Sequence, residues 1–192
     1  MFTAKSFQLD NLKDIQDLIL KFLETKNIDY NRSDVYQDWY EELSSYPIIT
    51  QTIERILPGL KIASMGIIIM KPYGHMPIHT DGSGLALEDD NVVIRGTYAF
   101  NIPILNYEGT YTSLYSSTKD PEYHFDTELD NTENSLPYFG YDEQYCTEIA
   151  RIEMNQPHLI NTSLPHRGHN QQPTSRILLN IRFDADSELV FA

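Results

Sequence analysis

The stretch "SRILLNIRFD", residues 175–184, alternates in a way that indicates a β-strand with two different faces. The apolar face consists of Ile177, Leu179, Ile181 and Phe183. The mixed face consists of Arg176, Leu178, Asn180 and Arg182. The pattern predicts a sheet whose apolar side packs against helices and whose other side lines a polar pocket.

Two amphipathic helices are predicted from the N-terminal third of the chain, in "DNLKDIQDLILKFLETK" (residues 10–26) and "YPIITQTIERILPG" (residues 46–59). The segment between them, with Tyr36, Trp39 and Tyr40, is expected to be a short helix or an irregular turn.

The sequence downstream of Lys61 is typical of strands separated by turn residues. Strands are predicted in the stretches at 61–73, 91–106 (ending at Pro103), 108–117, 147–156, 158–163 and 175–184. The fold class is therefore mainly β with flanking N-terminal helices, as in a β-sandwich or jelly roll. We expect one domain over residues 1–192, with helical support in 1–60 and a β core in 61–192.

An acidic, aromatic segment at about 116–145 interrupts the predicted strands. Long connections in compact domains are usually functional or disordered. A lid over a site and a surface insertion are both compatible with this segment.

Composition excludes some classes of function. The net charge of −14 argues against a nucleic-acid backbone binder, which needs Lys and Arg. It favours solubility, and it could also attract a basic substrate. The sequence has no apolar run long enough to span a membrane, and residues 1–18 are not expected to act as a secretion signal. The single cysteine fits a reducing compartment, so a cytoplasmic location is expected.

A candidate metal-binding pair lies in "MPIHTDGSG", residues 76–84. On an extended backbone, residues two positions apart point to the same side, so His79 and Asp81 can converge on one ion. The alternative is an ordinary Asp-Gly turn in which the imidazole forms a local hydrogen bond.

A third ligand is available in "NTSLPHRGHNQQPTSRILLNIRF", residues 161–183. His166 is the first candidate, and Arg176 follows it by ten positions. His169 is the competing histidine, although Gly168 predicts that the chain already turns there. Two histidines and one carboxylate on one face, with open positions, are typical of non-haem Fe(II) oxygenases.

These residues, His79, Asp81, His166 and Arg176 in that order and spacing, resemble the motif of the Fe(II)- and 2-oxoglutarate-dependent dioxygenases. The resemblance covers about residues 61–184 and is most similar to the prolyl-hydroxylase-like and aspartyl/asparaginyl-hydroxylase-like groups. It implies a double-stranded β-helix related to the cupins and a reaction that uses dioxygen to hydroxylate a substrate C–H bond.

The resemblance also implies roles for individual residues. His79, Asp81 and His166 are expected to bind Fe(II), and Arg176 is expected to bind the remote carboxylate of 2-oxoglutarate bidentately. Arg95 matches a second cosubstrate-binding arginine of the aspartyl-hydroxylase-like group, although Thr97 stands where that group has a histidine.

Three alternatives follow from the same residues. Arg182 is a second candidate for the anion role, and Arg176 alone could form a surface salt bridge. A cupin-like metal-binding module would keep the metal ligands but have no use for Arg176. A non-catalytic interaction domain would use the acidic segment as its contact surface. An amino acid or peptidyl residue is the expected substrate of the enzyme.

Overall fold

The computed structural model describes residues 3–31, 35–81, 86–88, 91–93, 98–124 and 138–184. Within these ranges the α-helices are α1 (Leu12–Thr25) and α2 (Pro47–Ile56), and short 3-10 helices cover Glu41–Ser45 and Glu143–Tyr145. Both predicted helices are therefore confirmed. None of the described helices is long and apolar enough to cross a membrane.

Most of the described chain forms antiparallel β-structure. The first sheet has the order β1 (Ala4–Ser6), β12 (His158–Asn161), β7 (Tyr98–Leu105), β14 (Arg176–Phe183), β3 (Ile62–Met70) and β2 (Tyr36–Trp39). The second has the order β11 (Cys146–Glu153), β8 (Thr110–Ser117), β13 (His166–Asn170), β4 (His79–Thr80), β10 (Tyr138–Gly140) and β9 (Glu122–His124). Strands β5 (Ala86–Glu88) and β6 (Asn91–Val93) form a separate pair.

The apolar face of β14 packs as its alternation predicts. Ile177, Leu179 and Ile181 are fully buried in one core together with Ile15 and Ile19 of α1. Each such side chain contributes about 2 kcal/mol by leaving water. The opposite face of β14 is directed between the two sheets, where it lines a cavity.

The structure corrects several local predictions. Residues 36–39 form an edge strand of the first sheet, followed by a 3-10 helix, rather than a short helix or irregular turn. Strand β7 continues through Pro103 to Leu105. Proline is tolerated there because the pairing with β12 stops at Asn101 and the pairing with β14 is irregular beside Pro103.

The acidic segment also differs from the expected continuous loop. Its described ends include β9 and β10, and β10 pairs with β4, the strand that carries His79. Residues 125–137, the middle of the segment, lie outside the described ranges.

Candidate metal centre and anion site

Two neighbouring strands bring the three candidate metal ligands together. His79 on β4 is the register partner of His166 on β13, and their ring centroids are 4.4 Å apart. Asp81 follows β4 directly. Its Oδ1 lies 3.4 Å from the Nε2 of His79, and its Oδ2 lies 3.5 Å from the Nε2 of His166. The candidate ligand atoms all lie within 4.8 Å of one another, a size suited to one metal ion.

Backbone carbonyls orient both imidazoles. The Nδ1 of His79 is 2.9 Å from the carbonyl oxygen of Pro77, and the Nδ1 of His166 is 2.9 Å from that of Leu164. A neutral ring that donates its Nδ1–H in this way presents the Nε2 lone pair to the centre. This second hydrogen bond is the usual support of a metal-ligating histidine.

Burial and charge keep His166 and Asp81 in the protonation states that metal ligands need. Burial lowers the pKa of His166 to about 4, so the ring is neutral at pH 7. Burial acts to raise the pKa of Asp81, but the guanidinium of Arg182 and the two imidazoles outweigh it and hold that pKa below its usual range. The carboxylate is therefore ionised before any metal binds.

Arg182 forms an ion pair with Oδ2 of Asp81 inside the cavity, and both side chains are more than nine-tenths buried. Its Nε donates a 2.6 Å hydrogen bond to Oδ1 of Asn180. The guanidinium also lies 5.6 Å from the ring of Trp39. Arg182 is thus engaged beside the candidate metal centre, which makes it a poor substitute for Arg176 as the anchor of a remote anion.

Arg176 is a buried cation of a different kind. It is 2% exposed, and among the described residues no carboxylate lies within 4.0 Å of its guanidinium. Its Nη1 donates a long hydrogen bond of 3.4 Å to the carbonyl oxygen of His169. Burial lowers its pKa to about 10. The surface salt bridge considered from the sequence is therefore wrong, and the unneutralised charge fits an anion as its partner.

Gly168 lies between His166 and Arg176 on the inner face of β13. A Cβ built at this glycine would lie 2.9 Å from Cε of Met70 and 3.7 Å from Nη1 of Arg176. The missing side chain leaves room between the candidate metal centre and the buried guanidinium. Sequence analysis assigned Gly168 to a turn and not to the site, although its position two residues after His166 places it on the same strand face.

His169 lies on the other side of the strand from His166. The expected turn at Gly168 is wrong, because β13 continues to Asn170 and His169 is paired with Tyr111 of β8. Three positions along a strand put the two histidines on opposite faces. The ring of His169 stacks on Tyr111 at 4.4 Å, outside the candidate metal centre.

Arg95 and Thr97 lie outside the described residues, so the expected second cosubstrate arginine stays a prediction. A cavity that is partly open to solvent lies between the two sheets. Its described lining includes the three candidate ligands and Arg176, with Met70, Leu178 and Ile160 among the apolar walls.

The comparisons with known proteins concern the fold. No protein-family model and no curated protein matches the sequence. Among solved structures, the chain is similar to the non-haem α-ketoglutarate-dependent carbocyclase SnoK from nogalamycin biosynthesis, with a TM-score of 0.56 and 13% identity over 93% of this chain and 76% of that chain. It is similar to EvdO2 from Micromonospora carbonacea var. aurantiaca, with a TM-score of 0.57 and 10% identity over 100% of this chain and 96% of that chain.

A third similar structure is the non-haem α-ketoglutarate-dependent epimerase SnoN from nogalamycin biosynthesis, with a TM-score of 0.52 and 9% identity over 94% of this chain and 76% of that chain. The chain therefore has the fold of the non-haem 2-oxoglutarate (α-ketoglutarate)-dependent enzymes. At the level of the fold, the resemblance found in the sequence is confirmed. The two-histidine, one-carboxylate donor set fits Fe(II), and the buried guanidinium fits the carboxylate of a 2-oxo acid.

Proposed function

We propose that this protein is an Fe(II)- and 2-oxoglutarate-dependent dioxygenase that hydroxylates a C–H bond, with an amino acid or peptidyl residue as the expected substrate. The observation that carries the proposal is the combination, in one cavity, of a two-histidine, one-carboxylate cluster with a buried arginine that lacks a carboxylate partner among the described residues.

The strand order supports a jelly-roll interpretation of the fold. Strands β12, β7, β14 and β3 lie side by side in one sheet, and β11, β8, β13 and β4 lie side by side in the other. Strands that are neighbours in a sheet are therefore mostly distant in the sequence, as expected for a double-stranded β-helix. In this topology His79, the first residue of β4, is paired with His166, the first residue of β13.

In this proposal His79, Asp81 and His166 hold Fe(II), and Arg176 holds the remote carboxylate of 2-oxoglutarate. When bound, the metal and cosubstrate supply decarboxylation of the oxo acid coupled to transfer of one oxygen atom from dioxygen to the substrate. The protein orients the imidazoles through Pro77 and Leu164 carbonyls. It keeps the aspartate ionised through Arg182, and the apolar walls limit the access of water.

A cupin-like module that binds metal without oxygenase activity is less well supported. Such a module has no need of an unneutralised arginine, and burying one costs free energy. Arg176 is nevertheless among the largest fully buried side chains of the described chain.

The test is an anaerobic titration of the purified protein with Fe(II) and then 2-oxoglutarate. We expect a weak visible absorbance that appears only when both Fe(II) and 2-oxoglutarate have been added. Exposure to oxygen in the presence of a substrate should then produce succinate. His166→Ala should abolish the absorbance. His169→Ala is the matched control, because this histidine lies on the opposite face of the same strand and should leave the signal intact. Absence of the absorbance in the wild-type protein would refute the proposal.

A further inference from the structure

The ion pair between Arg182 and Asp81 has a consequence for how metal and cosubstrate bind together. A carboxylate that is a candidate metal ligand already has a buried counter-ion, Arg182, which is 5% exposed. The two neighbouring imidazoles can bind the same metal ion as this carboxylate, through their Nε2 atoms. A metal ion that enters this centre therefore meets a positive charge fixed beside one of its ligands.

The position of Arg182 is fixed by groups other than the metal ligands. Its Nε donates a hydrogen bond of 2.6 Å to Oδ1 of Asn180, and Nδ2 of Asn180 donates one of 2.5 Å to Oδ1 of Asn101. The ring of Trp39 lies 5.6 Å from the guanidinium, and a Cβ built at Gly66 would lie 2.8 Å from that indole. Strands β14, β7, β3 and β2 thus all contribute to holding the charge where it is.

The charges decide the direction of the effect. In the metal-free centre, Asp81 attracts Arg182. A divalent cation bound at the same place outweighs the aspartate charge, so that Arg182 is repelled. A dianionic 2-oxo acid that follows the metal cancels the charge of that cation, and the attraction between arginine and aspartate is dominant again. The guanidinium therefore stabilises the metal-free centre, and the centre with both metal and 2-oxo acid, relative to the centre with metal alone.

We propose that Arg182 is a positioning residue that weakens binding of the metal alone and thereby makes binding of the metal and the dianionic cosubstrate cooperative. The inference rests on the proposed function, because it assumes that Asp81 binds the metal and that a 2-oxo acid binds next. Arg182 acts through Asp81 and through its fixed charge, and Arg176 keeps the separate task of holding the remote carboxylate.

The test measures Mn(II) affinity, by electron paramagnetic resonance of free Mn(II), with and without saturating 2-oxoglutarate. In the wild type, 2-oxoglutarate should tighten Mn(II) binding. Arg182→Gln removes the charge but keeps a hydrogen-bond donor. We expect it to bind Mn(II) alone roughly tenfold more tightly and to lose a similar factor of the enhancement by 2-oxoglutarate. Arg182→Lys keeps the charge and should retain most of the wild-type enhancement.

The outcomes separate the two hypotheses. If wild-type protein binds no Mn(II), or binds it without any effect of 2-oxoglutarate, the proposed function and this inference both fail. If the wild type shows the enhancement and Arg182→Gln shows the same affinities as wild type, or weaker binding of Mn(II) alone, only the role of Arg182 is refuted. Asn180→Asp serves as a second, nearly isosteric variant should Arg182→Gln not fold. Its added negative charge offsets the charge of the guanidinium. As with Arg182→Gln, we expect tighter binding of Mn(II) alone and a smaller enhancement by 2-oxoglutarate.

Discussion

Replacing Arg176 by methionine should stabilise the ligand-free protein. The guanidinium is 2% exposed, and burial alone lowers its pKa from 12.5 to about 10. At pH 7 the group is charged in both the folded and the unfolded chain, so the folded state carries the full cost of burying the charge. The pKa change corresponds to about 3 kcal/mol.

Methionine fills a similar space without a charge, but it gives up the hydrogen bond from Arg176 to the carbonyl oxygen of His169. At 3.4 Å that hydrogen bond is worth about 1 kcal/mol or less. The net gain is about 2 kcal/mol in the free energy of unfolding, or about 4–8 °C in Tm for a chain of this size.

Thermal and urea unfolding of Arg176→Met, without ligands, measure this gain. Mn(II) together with 2-oxoglutarate should raise the Tm of the wild type. In the variant, the two ligands together should raise the Tm no more than Mn(II) alone does. Arg182→Met is the matched control on the same strand face. It removes the partner of Asp81 and should destabilise by about 3–5 kcal/mol. If Arg176→Met lowers the stability as Arg182→Met does, Arg176 is a structural residue and the reasoning about an anion site is wrong.

Three further predictions concern other positions. Gly168→Ala should weaken 2-oxoglutarate binding at least about tenfold by calorimetry while the fold persists, because the new methyl group meets the flexible end of Met70 and lies close to the buried guanidinium; unchanged affinity would contradict the inference that the cosubstrate occupies the space beside Gly168. Gly66→Ala should cost about 1–3 kcal/mol in urea unfolding, because its Cβ would meet rigid atoms, the ring of Trp39 and a backbone oxygen, each at 2.8 Å. Burial lowers the pKa of His166 from 6.5 to about 4, so the unfolded chain binds more protons between these values and stability should fall as the pH falls, by up to about 3 kcal/mol at pH 4; a His166→Gln variant should show a shallower decline, and an equally steep one would assign the effect to other groups.

Much of the local structure could be predicted from the sequence. The period of two in residues 175–184 identified the face of β14 that joins the helical core and the face that lines the cavity. The spacing of His79 and Asp81 indicated two side chains on one side of an extended chain, and the structure brings them together. Such patterns are readable because side-chain direction along a strand depends only on neighbouring residues.

The choice between His166 and His169, and between Arg176 and Arg182, was open in the sequence because it depends on which strands become neighbours. The pairing of β13 with β4 and β8 places His166 at the candidate metal centre and His169 against Tyr111. The two arginines on the same face of β14 also differ in their partners. Arg182 forms an ion pair with Asp81, whereas Arg176 meets no carboxylate among the described residues. Strand pairing and charge compensation join residues far apart in the chain. Local periodicity therefore determined which face each side chain occupies, and only the tertiary structure decided its partner.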